Sequence, residues 1–433
     1  MQRIVGVDTA RGLAVLGMFV AHLGMERHVG VFTPTGWFFL ADGRPSALFA
    51  TLAGTGLAFM TRRAYPDDID ALRTARGRVV KRSLILFVFG YFLMFLGTPV
   101  AVILSAYAVL FLMALPFLRA KPLTLVAWAA FTVVTMPQLV LLGRRAVYGS
   151  AEPRYDWPPI EELFSGYYPA LSWSTYVLVG LAVGRLALST YRVQFALLAG
   201  GSLIALAGYG SSALLLRVLD APLGSAAHDL LSTEPHADTT FEILGNLGVA
   251  LGVLGLCLLL TTAVAPLRML LTPVSATGSM SLSIYSMQIV YIAILGVDAV
   301  WNPHSNWPLI WLVVGTFVFA TLWQRFLGQG PLERALHAMI PPRSAPSAPL
   351  HASGVSTPAN GAPTGPWSAP RPTPSSAGAQ YPPVRPMAAL PTPLPSTALP
   401  EPASTALPEL ASTALPEPAS SPYGAYPAAP PPR

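Results

Sequence analysis

Residues 243–264 read ILGNLGVALGVLGLCLLLTTAV, a run without a single Asp, Glu, Lys or Arg. A helix needs about 20 mostly apolar residues to cross the hydrocarbon core of a bilayer, and this run is long enough to do so. Its cysteine, Cys257, is the only one in the chain, so it cannot form an intramolecular disulfide and is expected to be a buried, inert thiol. The run therefore predicts a membrane-spanning helix.

Further segments of similar length and hydrophobicity lie on both sides of this run. The whole chain is 53% hydrophobic and only 11% charged, whereas soluble domains carry roughly 25% charged residues. The sequence therefore predicts an all-α fold, a polytopic transmembrane helical bundle of about ten spans. Gly97-Thr98-Pro99 alone separates the third span from the fourth, which predicts a tight helical hairpin. The other predicted spans are 4–24, 44–61, 80–97, 99–118, 122–142, 168–187, 194–216, 277–297 and 308–327.

Lys and Arg residues are concentrated in alternate loops, most of all in 62–82 after the second span. By the positive-inside rule these loops face the cytoplasm, which predicts a multi-pass protein of the cell membrane with both termini in the cytoplasm. This topology explains the net charge of +6, so membrane lipid is the expected partner and nucleic acid is not. The exterior loops are then 25–43, 143–167, 217–242 and 298–307.

The C-terminal part of the chain has a different composition. Residues 341–433 are rich in Pro, Ala and Ser and contain the tandem octapeptides STALPEPA, STALPELA and STALPEPA at 396–419. Such a segment cannot bury enough apolar surface to offset its chain entropy, which predicts a disordered cytoplasmic tail after a membrane domain at 1–340. The tail is either a docking arm for cytoplasmic partners or a low-complexity extension without a fixed role.

Charged residues inside a bilayer are costly and usually functional. Asp8 and Arg11 of the first span are three residues apart, so they share a helix face and can pair. His22 lies eleven residues after Arg11, within about 20° of the same face. This stripe is either a neutralised packing pair with an interfacial histidine, or a polar corridor through the bundle.

Asp42 and Arg44 stand at the entrance to the second span. Asp42 is expected to cap the helix N-terminus, with Pro45 in the first turn, and this role is compatible with a catalytic one. The small residues Ala53-Gly54-Thr55-Gly56 follow within the span. They lack the strand and turn that a phosphate-binding loop requires, so we interpret them as a helix-packing motif.

A third polar cluster, HADTTFE at 236–242, precedes the eighth span. His236 and Glu242 are candidate substrate ligands or proton carriers. The spacing matches no zinc signature, so no metal is expected. The chain also lacks a Gly-x-Ser-x-Gly nucleophile elbow.

The segment RIVGVDTARGLAVLGM at 3–18 resembles the opening helix of the transmembrane acyltransferase superfamily. This superfamily includes acyltransferase family 3, the heparan-alpha-glucosaminide N-acetyltransferases and the YeiB-like (DUF418) bacterial membrane proteins. Members of acyltransferase family 3 begin with Asp-x-x-Arg-Gly and a histidine eleven residues after the arginine, which are Arg11 and His22 here. The segment DTARG at 8–12 is also similar to the Asp-Thr-x-Arg-Gly of the heparan acetyltransferases.

Three later segments resemble the YeiB-like proteins in the same order along the chain. They are DGRPSALF at 42–49, GSMSLSIY at 278–285 and GPLER at 330–334, and the YeiB-like part covers about 180–337. Two departures stand out. Ser279 replaces the arginine of the YeiB-like pattern, and His28, the candidate for the exoplasmic catalytic histidine of the heparan acetyltransferases, lies closer to Asp8 than in that family.

The resemblance implies acyl transfer across the membrane of the cell envelope. Acetyl-CoA or another acyl-CoA would be the cytoplasmic donor, and a hydroxyl or amine of an envelope glycan or lipid would be the acceptor. His22 or His28 would act as general base or carry the acyl group. Asp8 would orient Arg11, while Arg11 and Arg44 would bind phosphate, carboxylate or a developing oxyanion.

Two other function classes remain open at this point. The polar stripe of the first span is also compatible with a non-enzymatic transporter or flippase of a small anion or lipid. The tail is compatible with a scaffold that recruits cytoplasmic proteins.

Overall fold

The computed structural model describes residues 3–25, 33–62, 69–149, 162–164, 166–222 and 225–340. All of them belong to the first of two units into which the chain divides, Met1–Pro349, and the second unit is Leu350–Arg433. The predicted disorder of 341–433 lies outside the described residues, as does His28.

The regular structure of the described residues is entirely helical. Proline occupies the first turn of several helices, where its missing N–H and fixed φ favour a helix start. Short 3-10 helices cover Pro34–Ala41 and Leu115–Phe117. The α-helices are α1 (Val5–Leu23), α2 (Arg44–Thr61), α3 (Ile69–Met94), α4 (Ile103–Met113), α5 (Pro122–Tyr148), α6 (Ala170–Val183), α7 (Tyr191–Val218), α8 (Ala226–Leu231), α9 (Thr240–Ala263), α10 (Ala265–Leu270), α11 (Thr272–Ser279), α12 (Ser281–Leu295), α13 (Asp298–Trp301), α14 (Trp307–Phe326) and α15 (Pro331–Met339).

Helical structure is present in every segment predicted to span the membrane. Among the described residues, the four helices α5, α7, α9 and α14 are each long and apolar enough to cross a bilayer. The pair α11 and α12, bent by 87°, adds a fifth crossing if it is one broken span. The all-helical membrane architecture is therefore confirmed, while the count of ten spans stays a prediction.

The predicted hairpin forms between α3 and α4. Gly97 in its turn has a φ of +66°, a conformation that glycine adopts without strain. Gly90 of α3 lies so close to α4 that a Cβ built on it would come within 2.8 Å of the Ser105 nitrogen.

Small residues bring other helix pairs into close contact, as is common in membrane bundles. A Cβ built on Gly54 of α2 would lie 2.3 Å from the carbonyl oxygen of Val177 in α6. Thr55 Oγ1 donates a hydrogen bond across the same contact to the Gly180 carbonyl at 3.1 Å. The interpretation of residues 53–56 as a packing motif is confirmed.

The tightest of these contacts joins α1 to α11. A Cβ built on Gly278 would lie 1.8 Å from the Asp8 carbonyl oxygen and 2.5 Å from the Gly12 nitrogen. The two backbones thus touch without an intervening side chain. This contact fixes the broken pair of α11 and α12 against the first helix.

The last described helix, α15, is attached to the start of α12 through Glu333. Its Oε1 accepts hydrogen bonds from the Leu282 nitrogen at 2.7 Å and the Ser283 nitrogen at 3.2 Å. Its Oε2 accepts one from Ser283 Oγ at 2.5 Å. A carboxylate at a helix N-terminus satisfies orphan N–H groups and stabilises the helix dipole.

We expect Gly278→Ala to destabilise the protein by about 1–3 kcal/mol or more, because the new methyl group meets backbone that cannot move aside. Gly315→Ala is the matched control, since a Cβ on Gly315 of α14 meets nothing within 4 Å. Thermal unfolding of the two variants in the same detergent measures the effect. Equal melting temperatures for both would contradict the described contact of α1 with α11.

Candidate functional site

A cavity of about 430 Å³ opens among α1, α2, α3, α4, α12 and α15. This volume is in the range of about 300–1,000 Å³ that is usual for small-molecule sites. Arg11, Arg78 and Arg82 line the cavity together with one carboxylate, that of Glu333. Three guanidinium groups against one carboxylate leave the cavity with an excess of positive charge, which suits an anionic ligand.

The arginines of this cavity come from two separate parts of the chain. Arg78 and Arg82 are one helical turn apart on α3 and belong to the basic stretch 62–82. Arg78 Nε is buried and has no hydrogen-bond partner among the described residues. A buried donor of this kind gains from a ligand that accepts its hydrogen bond.

Asp8 and Arg11 form the predicted ion pair, with Arg11 Nη1 3.2 Å from Asp8 Oδ1. Arg3 Nε lies 2.7 Å from the other carboxylate oxygen, so Asp8 balances two cations. Arg11 also faces the cavity, because its Nη2 lies 3.9 Å from a Cβ built on Gly56 of α2. The pair therefore packs α1 and contributes to a polar cavity at the same time.

The opposite end of the cavity is lined by the aromatic layer, which we define as Phe49, Tyr107 and Tyr285. The rings of Phe49 and Tyr107 stack with their centroids 5.7 Å apart. Tyr285 Oη accepts a hydrogen bond from the Ile103 nitrogen at 3.2 Å. By contrast, Tyr107 Oη is buried without a partner among the described residues. Phe49 precedes Gly56 by seven residues on α2, so this end is about 10 Å from the guanidinium of Arg11.

His22 lies at the C-terminal end of α1, about 16 Å along the helix axis from Arg11. Gln288 Nε2 of α12 donates hydrogen bonds to His22 Nδ1 at 2.7 Å and to the Met18 carbonyl at 3.3 Å. A carbonyl only accepts, which orients the Gln288 amide, and its NH₂ group therefore faces the imidazole. Because Nδ1 accepts, the neutral His22 ring carries its proton on Nε2.

His236 lies in the loop before α9, where the backbone is strained. His236 and Asp238 have φ of 62° and 55°, values that residues with a Cβ rarely adopt and that often mark functional sites. The carboxylate of Glu242 stabilises this conformation by accepting hydrogen bonds from the His236 nitrogen at 2.9 Å and the Asp238 nitrogen at 2.7 Å. The side chain of Glu242 therefore fixes the conformation of the loop by binding the loop backbone.

A buried ion pair attaches the same loop to two neighbouring helices. Arg144 Nη2 of α5 donates to Asp238 Oδ2 at 2.8 Å, and Trp173 Nε1 of α6 donates to Asp238 Oδ1 at 2.9 Å. Both charged side chains are almost fully buried, at 4% and 3% exposure. Removing one partner of such a pair leaves an uncompensated charge, so the loop has little freedom to move.

The ring of His236 is surrounded by aromatic side chains. The ring centroids of Tyr167, Tyr168 and Trp173 lie 5.2, 5.5 and 6.3 Å from that of His236. His236 Nδ1 is 3.0 Å from the Tyr167 carbonyl oxygen. Since the carbonyl only accepts, Nδ1 carries the proton of the neutral ring, and the lone pair is left on Nε2.

Electrostatic interactions connect the two histidines with the aromatic layer. The imidazoles of His22 and His236 interact electrostatically. Tyr168, whose ring contacts that of His236, likewise interacts with Tyr107 and with Tyr285 of the aromatic layer. Neither histidine lines the arginine cavity itself.

Arg44 lies apart from the cavity, at the start of α2. Its Nε donates to Tyr209 Oη at 3.1 Å, and Tyr209 Oη donates to Asn246 Oδ1 at 2.6 Å. Asn246 Nδ2 then donates to Glu242 Oε1 at 3.1 Å. Arg11 reaches α2 at Gly56, about 18 Å along that helix from Arg44, so the two arginines cannot bind the same group.

The expected cap of α2 by Asp42 is wrong. The N-cap residue is Gly43, with a φ of 70°, and a glycine has no side chain with which to cap the helix. Asp42 instead ends the preceding 3-10 helix. Glycine accepts the positive φ that the chain needs at this corner, which displaces the capping position by one residue.

Sequence reasoning missed several residues of the site. It did not foresee the roles of Arg144, Trp173 or Gln288, because their contacts depend on how helices distant in sequence pack together. The role of Glu242 had a detectable signal in the sequence, because Thr239-x-x-Glu242 before an apolar run is a capping box. In the structure Thr239 Oγ1 accepts a hydrogen bond from the Glu242 nitrogen at 3.0 Å. Among the described residues, no group of three or more His, Cys, Asp or Glu could hold a metal ion.

Two groups outside the predicted spans have shifted pKa values of opposite sign. Burial lowers the pKa of His236 from 6.5 to about 4, the hydrogen bond to the Tyr167 carbonyl opposes this shift, and the nearby Arg144 adds to it. Burial raises the pKa of Glu162 from 4.5 to about 7, against a hydrogen bond with the Ser105 side chain. Between a pH of about 4 and 6.5, His236 is protonated in the unfolded chain and neutral in the folded protein. Between a pH of about 4.5 and 7, Glu162 is ionised in the unfolded chain and still protonated in the folded protein.

We expect the His236 contribution to the free energy of unfolding to fall as the pH is lowered from 6.5 to about 4, and the Glu162 contribution to fall as the pH rises from 4.5 to about 7. Denaturant unfolding of wild type, His236→Gln and Glu162→Gln between pH 4.5 and 6.5 tests this. The stability difference between wild type and variant should rise with pH for His236→Gln and fall with pH for Glu162→Gln. Parallel profiles for all three proteins would show that neither group is buried as described.

Comparison with known proteins agrees with the sequence resemblance. The family described as heparan-alpha-glucosaminide N-acetyltransferase, catalytic, matches residues 3–222. The family described as protein of unknown function (DUF418) matches residues 201–341. No curated protein matches the chain. The first match covers α1 to α7, with the three cavity arginines and His22, and the second covers α8 to α15, with His236 and Glu242.

Proposed function

The chain belongs to the heparan-alpha-glucosaminide N-acetyltransferase catalytic family, and from that membership we propose that it transfers an acyl group from a cytoplasmic acyl-CoA to a glycan or lipid on the outer side of the membrane. The observation that carries this proposal is the cationic cavity lined by Arg11, Arg78 and Arg82, which also reaches the aromatic layer. In the proposal the donor enters at the arginines, and the acceptor reaches the acyl group from the side on which His22 and His236 lie.

The cavity has the chemistry that an acyl-CoA requires. Its arginines at one end suit the phosphates of CoA, since guanidinium groups bind phosphate through paired charge-assisted hydrogen bonds. The pantetheine arm then extends along α2 towards the aromatic layer. There the buried hydroxyl of Tyr107, which lacks a partner among the described residues, is available to the carbonyl of the acyl group. Acetyl is the proposed acyl group, in line with the family.

The proposed topology follows from this placement. The arginine end of the cavity is lined by Met60, which directly precedes the basic stretch 62–82 assigned to the cytoplasm, and by Arg78, which lies within it. The histidine end then faces outwards, with about ten spans and both termini in the cytoplasm. A role of the tail in docking cytoplasmic proteins stays a prediction.

His22 supports the reaction in a specific way. Its Nδ1 accepts from Gln288, so the proton on Nε2 can be donated to the carbonyl oxygen as it becomes an oxyanion. This favours His22 as a hydrogen-bond donor over the role of general base expected for it. Asp8 keeps Arg11 charged and oriented, and Arg44 with Glu242 holds the outer loop rather than the donor.

We expect Arg82→Gln to weaken acetyl-CoA binding about 10-fold or more, because a charge-assisted hydrogen bond contributes about 1.5–3 kcal/mol. Arg76→Gln is the control, since Arg76 is an exposed arginine on the same helix. Calorimetric titration of the purified proteins with acetyl-CoA at low and high salt measures both. Equal affinities for Arg82→Gln and Arg76→Gln would exclude this cavity as the donor site.

Turnover is tested with purified protein and radiolabelled acetyl-CoA in the presence of extracted envelope glycans and lipids. Wild type should release CoA and label one acceptor class, and His22→Ala should lower the rate about 10²- to 10³-fold, as for the loss of one oxyanion donor. His28→Ala is measured alongside to test that histidine as base or acyl carrier. Folded wild type that turns over no acyl-CoA would instead favour transport of an anion or lipid.

A further inference from the structure

We propose that His236 is the general base that accepts the proton of the acceptor hydroxyl or amine. This inference rests on the proposed acyl transfer and adds a catalytic residue to it. It comes from the hydrogen bonds of the two imidazoles, His22 and His236, which assign them opposite tautomers.

The tautomers are fixed by what each Nδ1 contacts. His236 Nδ1 lies against a group that only accepts, the Tyr167 carbonyl at 3.0 Å. His22 Nδ1 lies against a group that donates, Gln288 Nε2 at 2.7 Å. At neutral pH the free nitrogen of His236 therefore holds a lone pair and that of His22 holds a proton. One ring can remove a proton and the other can stabilise an oxyanion.

His236 is held in a single orientation, as a general base requires. Its backbone has the strained φ of 62°, and Glu242 Oε1 binds its nitrogen. Trp173 lies nearly parallel to the imidazole, with an angle of 9° between the planes. The Nδ1 hydrogen bond to Tyr167 fixes the rotation of the ring. A strained backbone of this kind costs free energy and is found most often at functional sites.

His236 is also connected through Tyr168 to the aromatic layer, where the proposed function places the acyl group. Tyr168 contacts its ring edge to face, with centroids 5.5 Å apart, and interacts with Tyr107 in the aromatic layer. The loop that carries His236 precedes α9 on the side assigned to the exterior. An acceptor arriving from that side meets His236 before it meets the acyl carbon.

The reaction balances as follows. His236 Nε2 takes the proton of the acceptor O–H or N–H while the acceptor atom forms a bond to the acyl carbonyl carbon. His22 Nε2–H donates a hydrogen bond to the carbonyl oxygen, which becomes an oxyanion. When the carbonyl reforms, the C–S bond breaks and the CoA thiolate leaves. His236 returns its proton to the thiolate, so an acylated acceptor and CoA are the products.

The test compares wild type with His236→Ala, His22→Ala and His228→Ala, the last being a histidine of the same exterior loop outside the site. We expect His236→Ala to lower kcat about 10²- to 10⁴-fold, with a KM for acetyl-CoA close to that of His228→Ala. Its thermal stability should fall, because the lost ring packs against three aromatic side chains, so turnover is measured well below its melting temperature. Hydroxylamine, which attacks thioesters without a base, should restore turnover of His236→Ala well above the enzyme-free rate. It should not restore His22→Ala, which lacks the oxyanion donor.

The outcomes separate this inference from the proposed function. If wild type is active and His236→Ala retains its rate, His236 is not the base although acyl transfer stands, and Glu162→Gln becomes the next variant to measure. If hydroxylamine restores both histidine variants equally, the division of roles is wrong. If folded His236→Ala is inactive and hydroxylamine does not restore its turnover, the lost function is not that of a base and the assignment is overturned. Where His236→Ala does not fold, His236→Gln is measured in the same way.

Discussion

The site depends on the backbone contact of Gly278 with Asp8 and Gly12. This contact joins the part of the chain that matches the acetyltransferase family to the part that matches DUF418. Neither part contains the whole site. The first supplies the three arginines, Tyr107 and His22, and the second supplies Tyr285, Gln288, His236 and Glu333. The close approach of α1 to α11 therefore brings the residues of the two parts of the chain together in one site.

Paired charges within the apolar bundle stabilise this arrangement of helices. Asp8 is shared by two arginines, Asp238 is paired with Arg144, and Glu333 accepts three hydrogen bonds at the start of α12. Among the described residues that line the cavity, Glu333 is the one carboxylate available to Arg78 and Arg82. Their uncompensated charge is the electrostatic basis for assigning an anionic donor to the cavity.

The sequence predicted the helices and the pair of Asp8 with Arg11, because apolar length and i,i+3 spacing are local properties. It also singled out His22, Arg44, His236 and Glu242 as polar residues in unusual places. It did not predict that His22 faces Gln288 or that Glu242 binds the backbone of His236, because these contacts depend on how distant helices pack. The cap of α2 was wrong by one residue, since the backbone corner at Gly43 is also set by packing.

The aromatic layer has an electrical consequence. When two water-accessible regions approach each other across a thin apolar septum, most of the membrane potential falls across that septum, at about 2.3 kcal/mol per elementary charge and 100 mV. On the proposed reaction the phosphates of CoA stay on the arginine side and the acyl group that passes the tyrosines is uncharged, but the proton that His236 returns to the thiolate crosses the same septum. The transfer therefore moves one positive charge from the outer side to the cytoplasmic side per turnover, and a membrane potential that is negative inside favours it.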